Sequence, residues 1–392
     1  STSAAGRWQQ EIPYTYGVFQ LYFGWWAYLV RRRITEMHGL EEHDWETILQ
    51  KLPISSIGEF MNPTGKTWQD MLDHDTLDNH WKSLRFDKRY GDIDVPCLHV
   101  TGWYDMEDLT GAFHHYEHMM ETSPARNNQR LIVGPWSHIN CRWPHSSYGG
   151  IEFGSEAAID MDEVHLRWFD YWLKGNQNGV PDDPPVKIFE PGKNAWLHTD
   201  HWPLGDKEKL LFLRFDGKTG DLSDVPPPTD DPEQSYRYNP VDPAPTRMDI
   251  KKYPLEDIPL DQTLVESRPD VLSYSSEALL EELVISGWPH LTIYAASNCE
   301  DTEWHVKITD VYPDGRSMKV TQGCLRASYR ESLEKPSRLV PGEIYTFDIE
   351  LWPTHHVFLS GHCVRVTITS SDFPWFARSM NRFGKIANLA AP

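Results

Sequence analysis

The sequence is short of positive charge, of cysteine and of long apolar runs, and each shortage excludes something. Lys and Arg number 37 against 58 Asp and Glu, a formal charge of −21. A basic footprint for nucleic acid or an anionic membrane is therefore missing, and such acidity is the ordinary means of keeping a surface soluble. The five cysteines (Cys97, Cys141, Cys299, Cys324, Cys363) lie far apart and form no C-x-x-C pair. That excludes zinc-site spacing, and an odd count excludes complete pairing within one chain. Cys97 and Cys363 sit in strand-like apolar runs, where a buried thiol is the expected occupant; a reducing, cytoplasmic compartment is favoured. The richest apolar stretch, Tyr14 to Val30, is broken by Gly17, Gln20 and Gly24, so no segment reaches the ~18–20 residues that cross a bilayer. The first ten residues are polar, without an initiator Met or a signal peptide, and the chain is expected to begin inside a longer one.

What is present suffices for two or three domains: 392 residues, 39% hydrophobic and 12% aromatic. From about Tyr14 to Arg85 the pattern predicts helices without strand alternation. Trp25, Trp26, Leu29, Arg33 and Met37 form one helical set, and Trp45, Ile48, Leu49 and Leu52 form another, ended by Pro53. Asp73-His74-Asp75 reads as a surface turn. From Asp92 the character changes. Pro96 to Gly102 and Arg130 to Pro135 read as buried parallel strands, separated by a helix with Leu109, Ala112, Phe113, Tyr116 and Met120 on one face. Such a βαβ unit implies a parallel sheet. A helix with Val164, Trp168, Tyr171 and Trp172 on one side follows, then a strand over Pro185 to Phe189. Beyond Pro203 an Asp/Pro-rich connection runs to Pro245. Short strand-like runs then recur, over Leu283–Ile285, Leu291–Ala295, Trp304–Val311, Tyr345–Leu351 and Val364–Thr369, which predicts a β-sandwich.

In open parallel sheets, functional residues gather at the carboxyl ends of strands. Two loops hold that position: Gly102-Trp103-Tyr104-Asp105 and Gly134-Pro135-Trp136-Ser137-His138. An Asp after one strand and a His after the next are the orienting half of a nucleophilic triad, in the chain order of α/β-hydrolases; two structural turns would leave the same residues. His114 and His118 share a helix face with Glu117, an i, i+4 arrangement open to a metal. It is not H-E-x-x-H, and a solvated face is the expectation. No metal and no cofactor are predicted.

The surroundings add more. The two loops, together with Trp168-Phe169-Asp170-Tyr171-Trp172-Leu173-Lys174-Gly175, Trp196 before Trp202-Pro203-Leu204, and Asp78-Asn79-His80-Trp81 upstream, resemble the cocaine esterase / X-Pro dipeptidyl-peptidase-like (CocE/NonD) hydrolases. So do Tyr329-Arg330, Pro341-Gly342, Phe358-Leu359-Ser360-Gly361-His362 and Ser370-Ser371-Asp372-Phe373-Pro374. The resemblance runs with gaps from about residue 8 to 384. It implies an α/β-hydrolase core with an inserted helical cap and a C-terminal jelly-roll: a residual core segment at 1–16, the cap at 17–88, the C-terminal part of the core at 89–204, and the jelly-roll at 205–392. It also implies Asp105 and His138 as triad acid and base. One departure is large. The family's nucleophile sits in a G-x-S-x-G elbow, and none occurs in these residues. Either a missing N-terminal segment or second chain supplies the serine, or this is a subunit that has lost catalysis, or a binding protein.

Asp105-Met106-Glu107-Asp108 places three carboxylates within four residues, a spot that would draw an ammonium group, although acids also simply favour a helix start. The stretch is similar to the α-amino-acid ester hydrolase branch, whose carboxylate cluster implies Glu107 and Asp108 as ligands of an α-amino group, with Glu11 as a candidate third acid. The implied reaction is ester or amide hydrolysis through an acyl-enzyme, on α-amino acid esters or α-amino β-lactams or on esters and amides generally. Trp25, Trp26, Trp136, Phe373 and Trp375 are candidates to line an acyl pocket. The expected partners are that small-molecule substrate and the nucleophile-bearing segment, not nucleic acid or membrane, with a homo-oligomer left open.

Overall fold

The first element among the described residues is a short hairpin that no periodicity announces. In the computed structural model, which describes residues 9–31, 43–61, 65–205, 207–228, 232–248 and 258–390, β1 (Tyr14–Thr15) pairs antiparallel with β2 (Val18–Phe19). Both strands are buried. This corrects the expectation of an all-helical start: strands two residues long are below what an alternating pattern can show. Helices then take over, with α1 (Phe23–Leu29), α2 (Trp45–Leu49), α3 (Ile57–Phe60), α4 (Lys66–Asp73) and α5 (Asn79–Leu84). Arg33 and Met37, expected to extend the first helix, lie outside the described residues. Asp44 and Asp78 cap α2 and α5 by accepting backbone N–H bonds. The Asp73-His74-Asp75 stretch is more than a surface turn: Asp75 is buried and its carbonyl accepts from the Tyr329 hydroxyl of the distant β domain at 2.8 Å.

The α/β part follows the predicted order. β3 (Cys97–Gly102), α6 (Leu109–Thr122) and β4 (Gln129–Gly134) form a βαβ unit with β3 and β4 parallel. A small hairpin, β5 (Ser147–Tyr148) with β6 (Ile151–Glu152), and α7 (Met161–Lys174) lead to β7 (Val186–Glu190), which joins β4 in parallel. β8 (Ala195–Thr199) closes the far edge antiparallel, so the sheet order is β3-β4-β7-β8. Helix α6 buries Leu109, Ala112, Phe113 and Tyr116 as its spacing requires. The opposite face is not simply solvated, a second correction. Glu117 Oε1 accepts from the indoles of Trp202 (3.1 Å) and Trp288 (2.9 Å), tying α6 to the β domain. The His114 and His118 rings meet tilted, with centroids 4.1 Å apart and planes at 42°, beside Tyr90. Helix α7 buries Met161 and Trp168 but leaves Leu166, Phe169 and Leu173 at 63%, 51% and 77% exposure, an apolar stripe at helical spacing.

The β domain contains β9 (Phe212–Phe215), β10 (Gly220–Ser223), a helical turn α8 (Thr263–Glu266), β11 (Leu272–Ser275), β12 (Leu283–Gly287), β13 (His290–Ala295), β14 (Glu303–Val311), β15 (Ser317–Arg326), β16 (Tyr345–Glu350), β17 (Thr354–Phe358) and β18 (Cys363–Thr369). A six-stranded sheet, β15-β14-β18-β11-β10-β9, faces the pairs β12–β17 and β13–β16 across Trp304, Val306, Phe347, Phe358 and Ile368. This is the expected sandwich. Its longest strand, β15, is buried along its whole length, on the face carrying Lys319 as well as the face carrying Val320. A second apolar core joins Tyr14, Trp25, Trp68, Phe113 and Leu131 to Met318 and Cys324 of that strand. The sandwich is thus packed onto the α/β part. Cys97 and Cys363 are half-buried rather than fully enclosed, and no cysteine among the described residues is in a disulfide.

Candidate active site

Two strand ends build the site, and two glycines allow them to meet. A Cβ on Gly102 would lie 2.0 Å from Trp136 O, and one on Gly134 would lie 2.2 Å from the Trp136 ring. Only glycine lets the backbone approach so closely. The loops are then laced by backbone bonds, Trp103 N to Gly134 O (2.9 Å) and Tyr104 N to Trp136 O (3.0 Å). This lacing brings Asp105 and His138 into contact: His138 Nδ1 donates to Asp105 Oδ1 at 3.2 Å.

Asp105 is only 1% exposed and is held from several sides. Its Oδ1 also accepts from Asp108 N (2.9 Å) and Glu107 N (3.1 Å), and Thr101 Oγ1 lies 3.4 Å from Oδ2. Burial works to raise this carboxyl. The hydrogen bond and charge of His138, with the two amides, outweigh it and keep the group below the usual carboxylate range. Asp108 Oδ2 stands 3.5 Å from the same ring nitrogen, and the ring keeps 15% exposure. Burial pulls the His138 imidazole down, but Asp105 and then Glu107 and Asp108 push it up to about 9. The backbone behind it is fixed by Cys141, whose Sγ donates to His138 O at 2.9 Å.

Glu107 is raised to about 7, first by burial and then by the Asp105 and Asp108 charges, against the His138 charge and a hydrogen bond from Tyr22. Its Oε1 is buried without a hydrogen-bond partner, as is Oε1 of Gln20. Both residues line one crevice, too narrow for a water molecule, together with Glu11, Asp105, Met106, Leu109, Thr110 and Trp352. The structure therefore brings Glu11, Glu107 and Asp105 to a single crevice, with Asp108 and His138 adjoining.

The aromatic candidates divide. Trp375 is fully buried and stacks on Tyr22 with centroids 4.4 Å apart and planes 5° apart, and Trp25 stacks on the same ring at 6.1 Å. They stand one layer behind the acids. Phe373 is half-buried, its amide bonded to Ala244 O and its ring under the Arg378 guanidinium. Trp26 is 36% exposed beside Phe23. Trp136 is corrected outright: it is fully buried among Val100, Ile132 and Met161, its indole donating to Ala157 O at 2.9 Å, because the two glycines place its ring under the loops. Sequence reasoning missed Tyr22, Gln20 and Trp352, which reach the site through the β1–β2 hairpin and the end of β16 and carry no local signal.

With this geometry in place, likeness to known proteins can be read. Residues 1–140 match the X-Pro dipeptidyl-peptidase (S15) family, and residues 178–383, more than half of the chain, match the X-Pro dipeptidyl-peptidase C-terminal non-catalytic domain. The cocaine esterase of Rhodococcus sp. (strain MB1 Bresler) is 32% identical over 330 residues, 81% of this chain and 56% of that protein. A putative serine esterase of Mycobacterium tuberculosis (strain CDC 1551) is 26% identical over 71% of this chain and 45% of its own length. Among solved structures, an α-amino acid ester hydrolase superposes with a TM-score of 0.83 at 28% identity, covering 98% of this chain and 67% of that one. An aminopeptidase from a marine sediment Thaumarchaeota archaeon gives 0.85 at 26% identity, covering 98% and 66%. The chain spans about half the length of the curated relatives it matches. An α/β-hydrolase core joined to a β-rich C-terminal domain is what these structures share with it, and the chain belongs to the X-Pro dipeptidyl-peptidase (S15) family of CocE/NonD hydrolases.

Proposed function

We propose that these residues supply the acid, the base and the substrate-amine pocket of a serine hydrolase whose nucleophile lies outside residues 1–392, and that its substrates are α-amino acid esters or amides. The observation that carries this reading is the Asp105–His138 contact, a buried carboxylate holding one nitrogen of a ring that stays partly open. With its proton on Nδ1, His138 offers Nε2 as acceptor for a serine hydroxyl. Asp105 fixes that tautomer and stabilises the imidazolium that forms, and the ring then returns the proton to the leaving group.

The proposed amine pocket rests on Glu107, Asp108 and Glu11, around a crevice that must widen to admit the group. A buried Glu107 oxygen with no donor beside a second carboxylate is costly until a donor arrives, and an α-ammonium brings three. Its charge also offsets two of the carboxylates that hold His138 protonated, so substrate binding itself favours the neutral base. A strand carrying that serine would have a place to dock. Among the described residues β3 ends the sheet with one edge unpaired, and the exposed Leu166, Phe169 and Leu173 stripe of α7 is the kind of surface that another segment covers.

Labelling of the native protein with a fluorophosphonate probe tests the proposal. The expected outcome is a labelled serine on polypeptide outside these 392 residues, with Asp105→Asn slowing labelling by about the 10⁴-fold that the loss of a triad carboxylate costs serine proteases. If no component of the native protein takes the label, the catalytic reading fails and a hydrolase-like binding subunit replaces it.

A further inference from the structure

We propose that Asp105, Asp108 and His138 also form a site for a divalent transition-metal ion of the zinc kind, and that its occupancy switches the base off. One ligand atom from each of the three residues can be chosen so that all lie within 4.8 Å of one another. His138 Nδ1 is 3.2 Å from Asp105 Oδ1 and 3.5 Å from Asp108 Oδ2, so a cation replacing the Nδ1 proton already has two oxygens around it. Three protein ligands and an open fourth position make the donor set of a catalytic-type zinc site. An imidazole nitrogen with carboxylates selects zinc, copper or nickel over calcium or magnesium, which prefer all-oxygen cages. The frame is built in advance, since the amides of residues 107 and 108 and the Thr101 hydroxyl hold Asp105 in place. A further acceptor, the unpartnered buried Oε1 of Glu107, belongs to a residue that lines the same narrow crevice as Asp105.

The consequence follows from imidazole chemistry. A metal on Nδ1 needs that nitrogen's lone pair. In a neutral ring the proton moves to Nε2 and none is released; in an imidazolium ring one proton leaves to solvent. In both cases Nε2 then carries hydrogen toward the serine and no lone pair remains to accept its proton. The metal acts by fixing the wrong tautomer. Binding stands on the geometry alone, and only the inhibition rests on the hydrolase reading.

The native protein is titrated with Zn²⁺ by calorimetry and with Co²⁺ by visible absorption. One equivalent is expected, with the intense d–d bands of a low-coordinate site rather than those of the hydrated ion. His138→Ala should remove it, and the milder Asp108→Asn should weaken it about tenfold or more. Fluorophosphonate labelling should slow in step with occupancy and recover with a chelator. Zinc bound equally well by both variants, or no binding at all, overturns the site. Binding that depends on His138 in a protein that never labels keeps the site and removes the hydrolase reading instead.

Discussion

Two groups of buried charge meet in this molecule where Lys319 of the β domain touches Met106 of the acid loop, and they are finished differently. Around Asp301, Lys307 and Asp310 of the β domain the charges are closed. Asp301 accepts from Arg326 Nε (2.8 Å), Ser328 Oγ (2.8 Å), Ser328 N (3.0 Å) and Thr302 N (3.0 Å), while Arg326 also donates to Gly384 O at 2.9 Å. Lys307 sits between Asp372 and Gln262, each at 3.0 Å, and Asp310 is held between His356 and His362. At the strand ends of the α/β part, the charges of Asp105, Glu107 and Asp108 all act on one histidine, and buried acceptor oxygens of Glu107 and Gln20 are left without donors. A structural network satisfies its own members, whereas a binding site leaves places for what it binds.

The sharpest way to break the comparison is to open the closed network. Arg326→Met leaves Asp301 buried with its charge uncompensated, since Ser328 and the backbone supply hydrogen bonds but no cation. A loss of about 3–5 kcal/mol is expected. Urea unfolding checks it, with a lower midpoint and an unchanged slope. A loss under ~1 kcal/mol would mean that water or the Ser328 contacts already suffice.

What could be read beforehand follows the same division. The loops after β3 and β4 were legible because a buried parallel strand writes itself as a local apolar run ending in Gly, with the chemistry directly after it. The sandwich strands with one wet face, such as β13 and β16, were legible by alternation, His290 and Thr292 facing out while Leu291 and Ile293 face in. β15 was not. Both of its faces are buried, one carrying Val320 and Leu325 and one carrying Lys319 and Gln322, so no contrast with solvent remains to mark it. The part of the site made by Glu11, Gln20 and Tyr22 was illegible for another reason: a six-residue hairpin and long-range packing put it there, and neither leaves a period. Trp136 was misread because an aromatic after a strand looks like a pocket wall; Gly102 and Gly134 beside it were the signal that its ring lies beneath the loops instead.

The open group should respond in the opposite sense to Arg326. The Glu107 carboxyl is raised to about 7, so its contribution to stability is complete below its unfolded value and is lost as pH rises through the folded one. Glu107→Gln cannot titrate. It should match the parent near pH 4 and exceed it by on the order of 1–3 kcal/mol at about pH 8. Thermal melts across that range decide the matter. A variant weaker than the parent at high pH would show that a partner already serves the carboxylate, and would place Glu107 with the structural charges.

Lys319 tests the border between the two groups, and its effect should be the smallest. It lies in the β domain but touches the acid loop, Nζ standing 3.1 Å from Gln322 Oε1 and 3.7 Å from Met106 Sδ. Among the described residues no carboxylate contacts it. Burial, then the nearby Lys307 charge, lowers it to about 8. For a lysine lowered in this way, stability is present above the unfolded value and is lost as pH falls through about 8, so at neutral pH the ammonium is a cost. Lys319→Met keeps the length and removes the charge. Stability at pH 7 should be unchanged or higher by up to ~1 kcal/mol, with the difference vanishing near pH 10. Arg326→Met, the same replacement in the same strand, should differ from it in sign, because one cation has a carboxylate to leave behind and the other has only an amide and a thioether.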